Sequence, residues 1–454
     1  MASTMFDSEL FRDMFGTKEM RDVFSDRGYL ACCLEVEAAL ARAQASVGMI
    51  PDHAAREITR RAAVGSLDLE KLRRDCEVVG YPILGLVRQL ADACEGDAGG
   101  YVHWGATTQD IMDTAVVLQL RQALDRMEVG LQDCVDLLAT LAQRHRNVPM
   151  AGRTHLQHAL PITFGFKAAV WRDPLVRHLQ RLAELRPRVL TGQLGGAAGT
   201  LASLGTDGLA VRAALMRELD LREPEITWHV SRDNLAEAVL FTGLVTASLA
   251  KIGTDMMLLM ATEFAEAFEP FQHGRGASST MPQKRNPISA ELIVASAKIV
   301  RQNCALMLDA SVHDFERATG PWHAEWVAIP QSFIAASGAL AQTRLMMAGL
   351  SVDARRMESN LDLTGGLIVT EAVMMGLAPA IGRQKAHDVV YDACRQVADG
   401  GITLLQALAA DSEVSSHFSE SQLQKLLDPR NYLGSAGPMV DRAIAAPTSF
   451  DLPR

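Results

Sequence analysis

Three short segments of this chain concentrate hydroxyl, amide, imidazole and cationic side chains, and each offers groups that bind or react with a small anion. The first, HWGATTQD, occupies residues 103–110. Hydroxyl and amide groups at the start of a helix can cap it, and they can equally donate hydrogen bonds to an anion. The residues alone leave both roles open for Thr107, Thr108 and Gln109.

The second segment, GRTHLQH, occupies residues 152–158 and places one threonine, two histidines and one glutamine within five positions. A lone histidine is usually structural. In this polar setting His155 is also a candidate acid–base group, because imidazole titrates near neutral pH.

The third segment, GRGASSTMPQKRNP, occupies residues 274–287. Its glycines, serines and prolines predict a mobile loop with many exposed backbone N–H groups. Lys284, Arg285 and Asn286 add positive charge and an amide, so we interpret the segment as a functional loop rather than a linker.

A fourth segment, QLGGAAGT at residues 193–200, is rich in glycine, but no strand precedes it, which excludes a dinucleotide site. It would let backbone approach a ligand or let two helices pack closely. The seven cysteines form no CxxC pair and no cysteine–histidine cluster has zinc spacing, so we expect free thiols, no metal and no cofactor.

Composition narrows the class of protein further. Of the 454 residues 48% are apolar and 22% charged, which indicates a folded globular protein. The net charge of −10 argues against nucleic acid or an anionic membrane as the main partner. The N-terminus lacks a secretory signal, and the most apolar stretch, 237–251, is shorter than the ~18 residues of a membrane span. We therefore expect a soluble, cytoplasmic protein.

The apolar pattern predicts an all-α fold with very long helices. Over 111–147, eight apolar residues recur at steps of three and four, which is typical of one buried helix face. They are Val117, Leu120, Leu124, Met127, Leu131, Cys134, Leu138 and Leu141. Four further long helices are predicted over 163–190, 233–268, 288–312 and 328–350.

Breaks in this pattern predict three helical domains, over residues 1–110, 111–350 and 351–454. The central domain is a bundle of the long helices. Their apolar faces must be buried by other long helices, from this chain or from identical copies, so we expect an obligate oligomer.

The third segment resembles the signature loop of the fumarase/aspartase superfamily, SSxMPxKxN, and the first two resemble the superfamily's other shared regions, in the same order. Nearly the whole chain is similar, and the subfamily it most resembles is that of bacterial 3-carboxy-cis,cis-muconate cycloisomerases. The supporting stretches are YVHWGATTQDIMDTA, QLGGAAGTLASLG, TWH at 227–229, ERATGPWHAEW at 316–326 and GLIVTEAVMM at 366–375.

The resemblance implies a homotetramer around a central helix bundle, with each active site assembled from the three segments of three different subunits. The substrate would be a small di- or tricarboxylate that loses a proton next to a carboxylate. Ser278 would be the base, with backbone N–H groups and Lys284 stabilising its alkoxide. The implied substrate contacts are Thr107, Thr108, Gln109, Thr154, Ser279, Lys284, Asn286 and Arg317.

At two positions the sequence departs from the pattern of the family it resembles, and both bear on the identity of the substrate. His155 stands where cycloisomerases usually carry tryptophan or another apolar residue, whereas adenylosuccinate and argininosuccinate lyases carry histidine. Gln283 replaces a common histidine or tyrosine, and Trp322 and Trp326 would narrow the pocket for a substrate smaller than a nucleotide. The changes at His155 and Gln283 favour cleavage of a C–N or other C–heteroatom bond with release of fumarate. The alternatives are lactonisation of 3-carboxy-cis,cis-muconate and, from another class, a helical scaffold without activity.

Overall fold

A computed structural model describes residues 4–317 and 319–450. Outside the described part lie residue 318 and the outermost residues of the predicted terminal domains, 1–3 and 451–454. The described chain is mostly helical, with little sheet, as the apolar pattern predicts.

The helices fall into groups along the chain. The N-terminal helices are α1 (Arg12–Phe15), α2 (Lys18–Val23), α3 (Asp26–Ser46), α4 (Asp52–Arg61), α5 (Leu69–Val79) and α6 (Ile83–Ala93). The central helices are α7 (Thr108–Arg144), α8 (Phe164–Val189), α9 (Gly208–Leu219), α10 (Asp233–Met260), α11 (Ile288–Ala310) and α12 (Pro321–Ala348). The C-terminal helices are α13 (Ala354–Leu361), α14 (Thr370–Ile381), α15 (Arg383–Ala398), α16 (Leu404–Ala410), α17 (Ser412–His417), α18 (Glu420–Leu426) and α19 (Ala436–Ala445).

Helix α7 is the longest element, with 37 residues. The eight apolar residues that recur at steps of three and four are all at most 6% exposed, so the predicted buried face is confirmed. They belong to the largest hydrophobic core, which also takes in residues of α8, α10, α11 and α12. Burial of this face by neighbouring long helices stabilises α7 far more than its own helix propensity does.

Two predicted helix boundaries were wrong. Helix α10 ends at Met260 instead of continuing to residue 268, because Ala261 leaves the helical conformation with a ψ of 143°. The chain that follows places Glu266 beside Arg153. Helix α12 begins at Pro321, seven residues before the predicted start, and proline is well suited to the first helical position because its N–H is not needed there.

The small amount of sheet consists of two antiparallel pairs. Strand β1 (Pro149–Thr154) pairs with β2 (Gln157–Thr163), and β3 (Ala267–Phe268) pairs with β4 (Ser351–Val352). The β1–β2 hairpin carries the GRTHLQH segment, which the sequence did not identify as a strand pair.

Charged contacts show how the long helices are oriented. Arg232, just before α10, binds Asp113 near the start of α7 and Glu325 near the start of α12. We call this the Arg232 end of the bundle. Arg153, in the strand after α7, binds Glu266 after α10, and we call this the hairpin end. Helices α7, α10 and α12 therefore run from the Arg232 end to the hairpin end, and α11 runs back.

The remaining cores lie beside the bundle. The second core combines α3, α4 and α6 with the start of α7 and with residues 194–219, and two smaller cores lie mainly in the C-terminal helices. In the described part of the chain, only α10 is long and apolar enough by itself to cross a membrane. Just over half of its most apolar window (56%) is already buried inside the chain.

His178 in α8 makes the stability of this bundle dependent on pH. Its side chain is buried, its Nε2 lies 2.9 Å from Ser248 Oγ, and burial together with nearby Arg181 and Arg177 lowers its pKa to about 4. The unfolded chain binds the same proton near pH ~6.5. The contribution of His178 to the free energy of unfolding is therefore fully present above pH ~6.5 and is lost progressively as the pH falls towards 4.

We predict that the free energy of unfolding falls by roughly 3 kcal/mol from this group alone between pH 7 and pH 4. Urea unfolding at fixed protein concentration measures it. His178→Gln should be less stable than the parent chain at pH 7 and approach it as the pH falls. The exposed His387→Gln is the matched control and should follow the parent throughout. Parallel curves for the parent and His178→Gln would contradict the assignment.

Candidate active site

The first polar segment lies at the Arg232 end, where it forms the start of α7. Thr107 and Thr108 are half-buried, whereas Gln109 is 1% exposed. Gln109 Nε2 donates to Asp113 Oδ2 at 3.0 Å and to the His229 carbonyl oxygen at 2.8 Å. The two threonines are therefore accessible for a ligand, while the N–H groups of Gln109 are engaged inside the protein, and its predicted contact with substrate stays a prediction.

The Asp110 carboxylate organises this end of the molecule. It accepts hydrogen bonds from the backbone N–H groups of Gly195 (2.8 Å), Gly196 (2.9 Å) and Thr107 (3.0 Å), and its Oδ1 lies 2.7 Å from His229 Nε2. A Cβ on Gly195 would meet Thr227 Oγ1 at 2.8 Å, so the position requires glycine. The glycine-rich segment thus brings backbone to a carboxylate of its own chain.

Arg317 joins the same group. Its Nη2 donates to the carbonyl oxygen of Ala197, at 2.8 Å, in the loop whose N–H groups bind Asp110. The structure therefore brings Arg317 to the end of the bundle that carries Thr107 and Thr108.

A buried cluster of three charged side chains lies at the Arg232 end, inside the bundle. Arg232 makes two hydrogen bonds to Asp113 (2.8 and 2.9 Å) and two to Glu325 (2.8 and 2.6 Å), and all three side chains are at most 2% exposed. Burial alone would lower the pKa of Arg232, but the two carboxylates outweigh it and raise that pKa above its ordinary value. Removing one member would leave an uncompensated buried charge, so the cluster locks the starts of three helices together.

Aromatic rings cluster at the start of α12, at the Arg232 end. Tyr81 stacks on Trp322 at 5.5 Å between centroids, and Trp326 lies 5.5 Å from Trp322 and 4.5 Å from His323. Trp322 is buried and Trp326 is 38% exposed, and both line a cavity of about 280 Å³. The two tryptophans therefore border an open space at the Arg232 end, and their expected narrowing of a substrate pocket stays a prediction.

The second polar segment lies at the other end, on the tip of the β1–β2 hairpin. His155 and Leu156 form its turn with φ of 51° and 63°, a left-handed conformation that is strained for side chains of this size. Thr154, His155 and Leu156 are all exposed, Leu156 by 70%. The hairpin is held close to its tip by Arg153, which binds both oxygens of Glu266 at 2.6 and 2.9 Å.

The third segment is a loop between α10 and α11, also at the hairpin end. The Asn286 N–H donates to the Gly276 carbonyl oxygen at 2.9 Å and closes the base of the loop. Within the loop, Ser278 Oγ accepts hydrogen bonds from the backbone N–H groups of Thr280 (3.3 Å) and Met281 (3.1 Å). Donors aimed at a hydroxyl oxygen favour its deprotonated form.

The other predicted residues of this loop face outward. Ser279 and Lys284 are exposed and Asn286 is half-buried. Among residues 4–317 and 319–450, the Lys284 ammonium makes no hydrogen bond or ion pair, and no hydrogen bond joins the loop to Thr154 or His155. The predicted reactive groups are therefore presented at the surface of the single chain.

Helix length keeps the first segment and Arg317 apart from the other two segments within one chain. At 1.5 Å per residue, the 37 residues of α7 span about 55 Å. Even if the six-residue strand β1 ran straight back along α7, it would return only about 20 Å towards the start of that helix. Helix α11, with 23 residues, likewise places about 35 Å between the Ser278 loop and the segment that carries Arg317.

Sequence reasoning missed several residues that organise the site. Asp110, Arg232 and His229 are buried and polar, but their partners are distant in sequence, so spacing gives no sign of the pairing. The available signal was a pair of aspartates, 110 and 113, three residues apart at the start of a long helix. In the described part of the chain, no group of three or more histidine, cysteine, aspartate or glutamate side chains is arranged to hold a metal ion.

Comparison with known families agrees with the resemblance seen in the motifs. Residues 15–301 match the family model described as lyase, and residues 366–443 match the model described as adenylosuccinate lyase C-terminus. Among solved structures, a fumarate lyase from Mesorhizobium sp. BNC1 superposes with a TM-score of 0.90. It is 52% identical, and the match covers 95% of this chain and 99% of that one.

Characterised relatives carry different activities. Trans-aconitate decarboxylase 1 of Mycosarcoma maydis is 48% identical, over 96% of this chain and 89% of that protein. A 3-carboxy-cis,cis-muconate cycloisomerase of Pseudomonas aeruginosa is 45% identical, over 96% of each, and an N-acetyl-S-(2-succino)cysteine lyase of Dickeya dadantii is 40% identical, over 98% of each. The chain is therefore an enzyme of the lyase family and a member of the fumarase/aspartase superfamily.

Proposed function

We propose that this enzyme catalyses β-elimination on a succinate-type di- or tricarboxylate, cleaving a C–N or other C–heteroatom bond and releasing fumarate. The observation that carries the proposal is the environment of Ser278, whose Oγ accepts two backbone N–H hydrogen bonds in an exposed loop. A serine hydroxyl is a poor base unless such donors stabilise its alkoxide.

The reaction begins with removal of a proton from the carbon next to a carboxylate. The negative charge then moves into that carboxylate, so cationic and hydroxyl donors that meet it lower the barrier most. In our proposal the exposed Lys284 and the half-buried Asn286 supply such donors from the loop, and Thr107, Thr108 and Arg317 supply them from the Arg232 end.

His155 is our candidate for the acid that protonates the leaving heteroatom. It stands at the tip of a strained hairpin turn and is exposed, which suits a group that must reach into a site formed with another copy. The named activity of the Dickeya dadantii relative, a lyase for a succinylated thiol, supports an elimination of this kind.

We further propose that the active unit is a homotetramer in which each site combines segments from three copies. The separation of Thr107 and Arg317 from the Ser278 loop supports a site shared between copies, because one chain holds them at opposite ends of its bundle. Exposed apolar side chains on the long helices would be covered in such an assembly, among them Val129, Val170, Leu244 and Leu308. Seven unpaired cysteines support a cytoplasmic location.

A second candidate function is lactonisation of 3-carboxy-cis,cis-muconate, in which an internal carboxylate adds to the double bond and no group leaves. The cycloisomerase relative, 45% identical over 96% of the chain, favours it. Both reactions pass through a carbanion next to a carboxylate, so one scaffold suits either.

A substrate panel tests the proposal. Purified enzyme should release fumarate, detected by its ultraviolet absorbance, from at least one N-substituted aspartate or S-substituted succinate. Turnover of 3-carboxy-cis,cis-muconate or trans-aconitate without any fumarate release would contradict the elimination and support a cycloisomerase or a decarboxylase instead.

Replacing the base gives a second prediction. Ser278→Ala should lower kcat by at least about a hundredfold with the fold intact, because no other hydroxyl receives the two N–H donors. Steady-state kinetics measures the change and circular dichroism checks the fold. His273→Ala, exposed at the start of the same loop, is the matched control and should stay within about twofold of the parent. Retained activity in Ser278→Ala would remove Ser278 as the base.

Mixing two inactive variants tests the shared site. Ser278→Ala and Arg317→Met should each be nearly inactive. Co-expressed in equal amounts, they should regain roughly a quarter of parental activity, since sites that draw an intact Ser278 and an intact Arg317 from different copies form at that frequency. Hybrids isolated with two affinity tags and still inactive would show that both residues act within one chain.

A further inference from the structure

A carboxylate is buried in the middle of α3 with a single hydrogen-bond partner. Glu37 is 1% exposed, and its Oε1 lies 2.6 Å from Nδ1 of His103. Its Oε2 is buried and has no partner within residues 4–317 and 319–450. An unpaired buried carboxylate is strongly disfavoured, so this contact favours the protonated, positively charged form of His103.

The turn that carries His103 is held in place from two sides. His103 has a φ of 60°, which is uncommon for a residue with a Cβ. Gln44 Nε2 donates to the Trp104 carbonyl oxygen at 2.6 Å, and Ser203 Oγ donates to the Gly105 carbonyl oxygen at 3.1 Å. Glu37 and Gln44 are seven residues apart and lie on one face of α3, so that face holds one side of the turn.

The second ring nitrogen of His103 is free for a ligand. The side chain is 20% exposed, and its Nε2 has no hydrogen-bond partner in the described part of the chain. The charged groups near the ring are Glu37 of α3 and Asp110 of α7, the latter already bound to His229. Burial alone would lower the pKa of His103, but the charge and hydrogen bond of Glu37, with a smaller effect of Asp110, raise it.

We infer that His103 binds substrate, its Nε2–H donating to a carboxylate held beside Thr107 and Thr108, and that Glu37 is the positioning residue that keeps this imidazole oriented and positively charged. The inference rests on the proposed function only in taking a dicarboxylate as the ligand. It adds a cationic group at the Arg232 end, four residues before Thr107.

Succinate binding measured by calorimetry between pH 6 and pH 9 tests this without any turnover. The affinity of the parent enzyme should fall about tenfold per pH unit above the pKa of His103. In Glu37→Gln, which keeps the shape of the side chain but not its charge, that fall should begin at least about one pH unit lower. His103→Asn should bind succinate at least tenfold more weakly than the parent at pH 6.5.

The matched control is Gln44→Leu, which removes the hydrogen bond to the Trp104 carbonyl oxygen and leaves the His103–Glu37 hydrogen bond in place. It should weaken succinate binding at every pH and leave the midpoint of the pH profile unchanged. Superimposable profiles for the parent and Glu37→Gln, or unchanged affinity in His103→Asn, would overturn the inference.

A further measurement covers the case in which Glu37→Gln does not fold. In a His155→Asn background, succinate binding above the pKa of His103 should take up a proton, seen as a dependence of the binding heat on buffer ionisation. No proton uptake would overturn the inference. If the fumarate panel fails while this uptake persists, the proposed elimination is wrong and the succinate site stands.

Discussion

The length of α7 is the constraint from which the rest of the account follows. A helix of 37 residues places Thr107 at one end of the bundle and the His155 hairpin at the other. The same geometry separates Arg317 from the Ser278 loop, because α11 lies between them. In our proposal, groups that act on one small substrate are brought together by another copy of the chain, so catalysis and assembly are linked.

Buried charge makes these ends rigid. At one end Arg232 joins Asp113 and Glu325, and Asp110 holds the glycine-rich loop. At the other end Arg153 and Glu266 anchor the hairpin. Each carboxylate is paired or receives several N–H donors, so its burial is compensated, and loss of a partner would be strongly destabilising. The bundle thus presents rigid donors on one side and an exposed loop on the other.

The spacing of apolar residues along the chain predicted those parts of the fold in which one helix face is buried. The α7 face was readable because apolar residues repeat at the helical period. The hairpin was not, since its turn consists of His155 and Leu156 instead of the Asn-Gly or Asp-Gly that mark such turns. Contacts between distant residues, such as Asp110 with Gly195 or Glu37 with His103, leave no local pattern. The Ser278 loop was found because its unusual residues are consecutive.

The most direct test of the account is an experimental structure of the assembled enzyme with succinate bound. The account predicts that one succinate molecule contacts Ser278 of one copy and Arg317 of another, with His155 contributed by a third. A succinate bound only by residues of a single chain, or a Ser278 loop facing solvent far from every neighbouring Arg317, would contradict it.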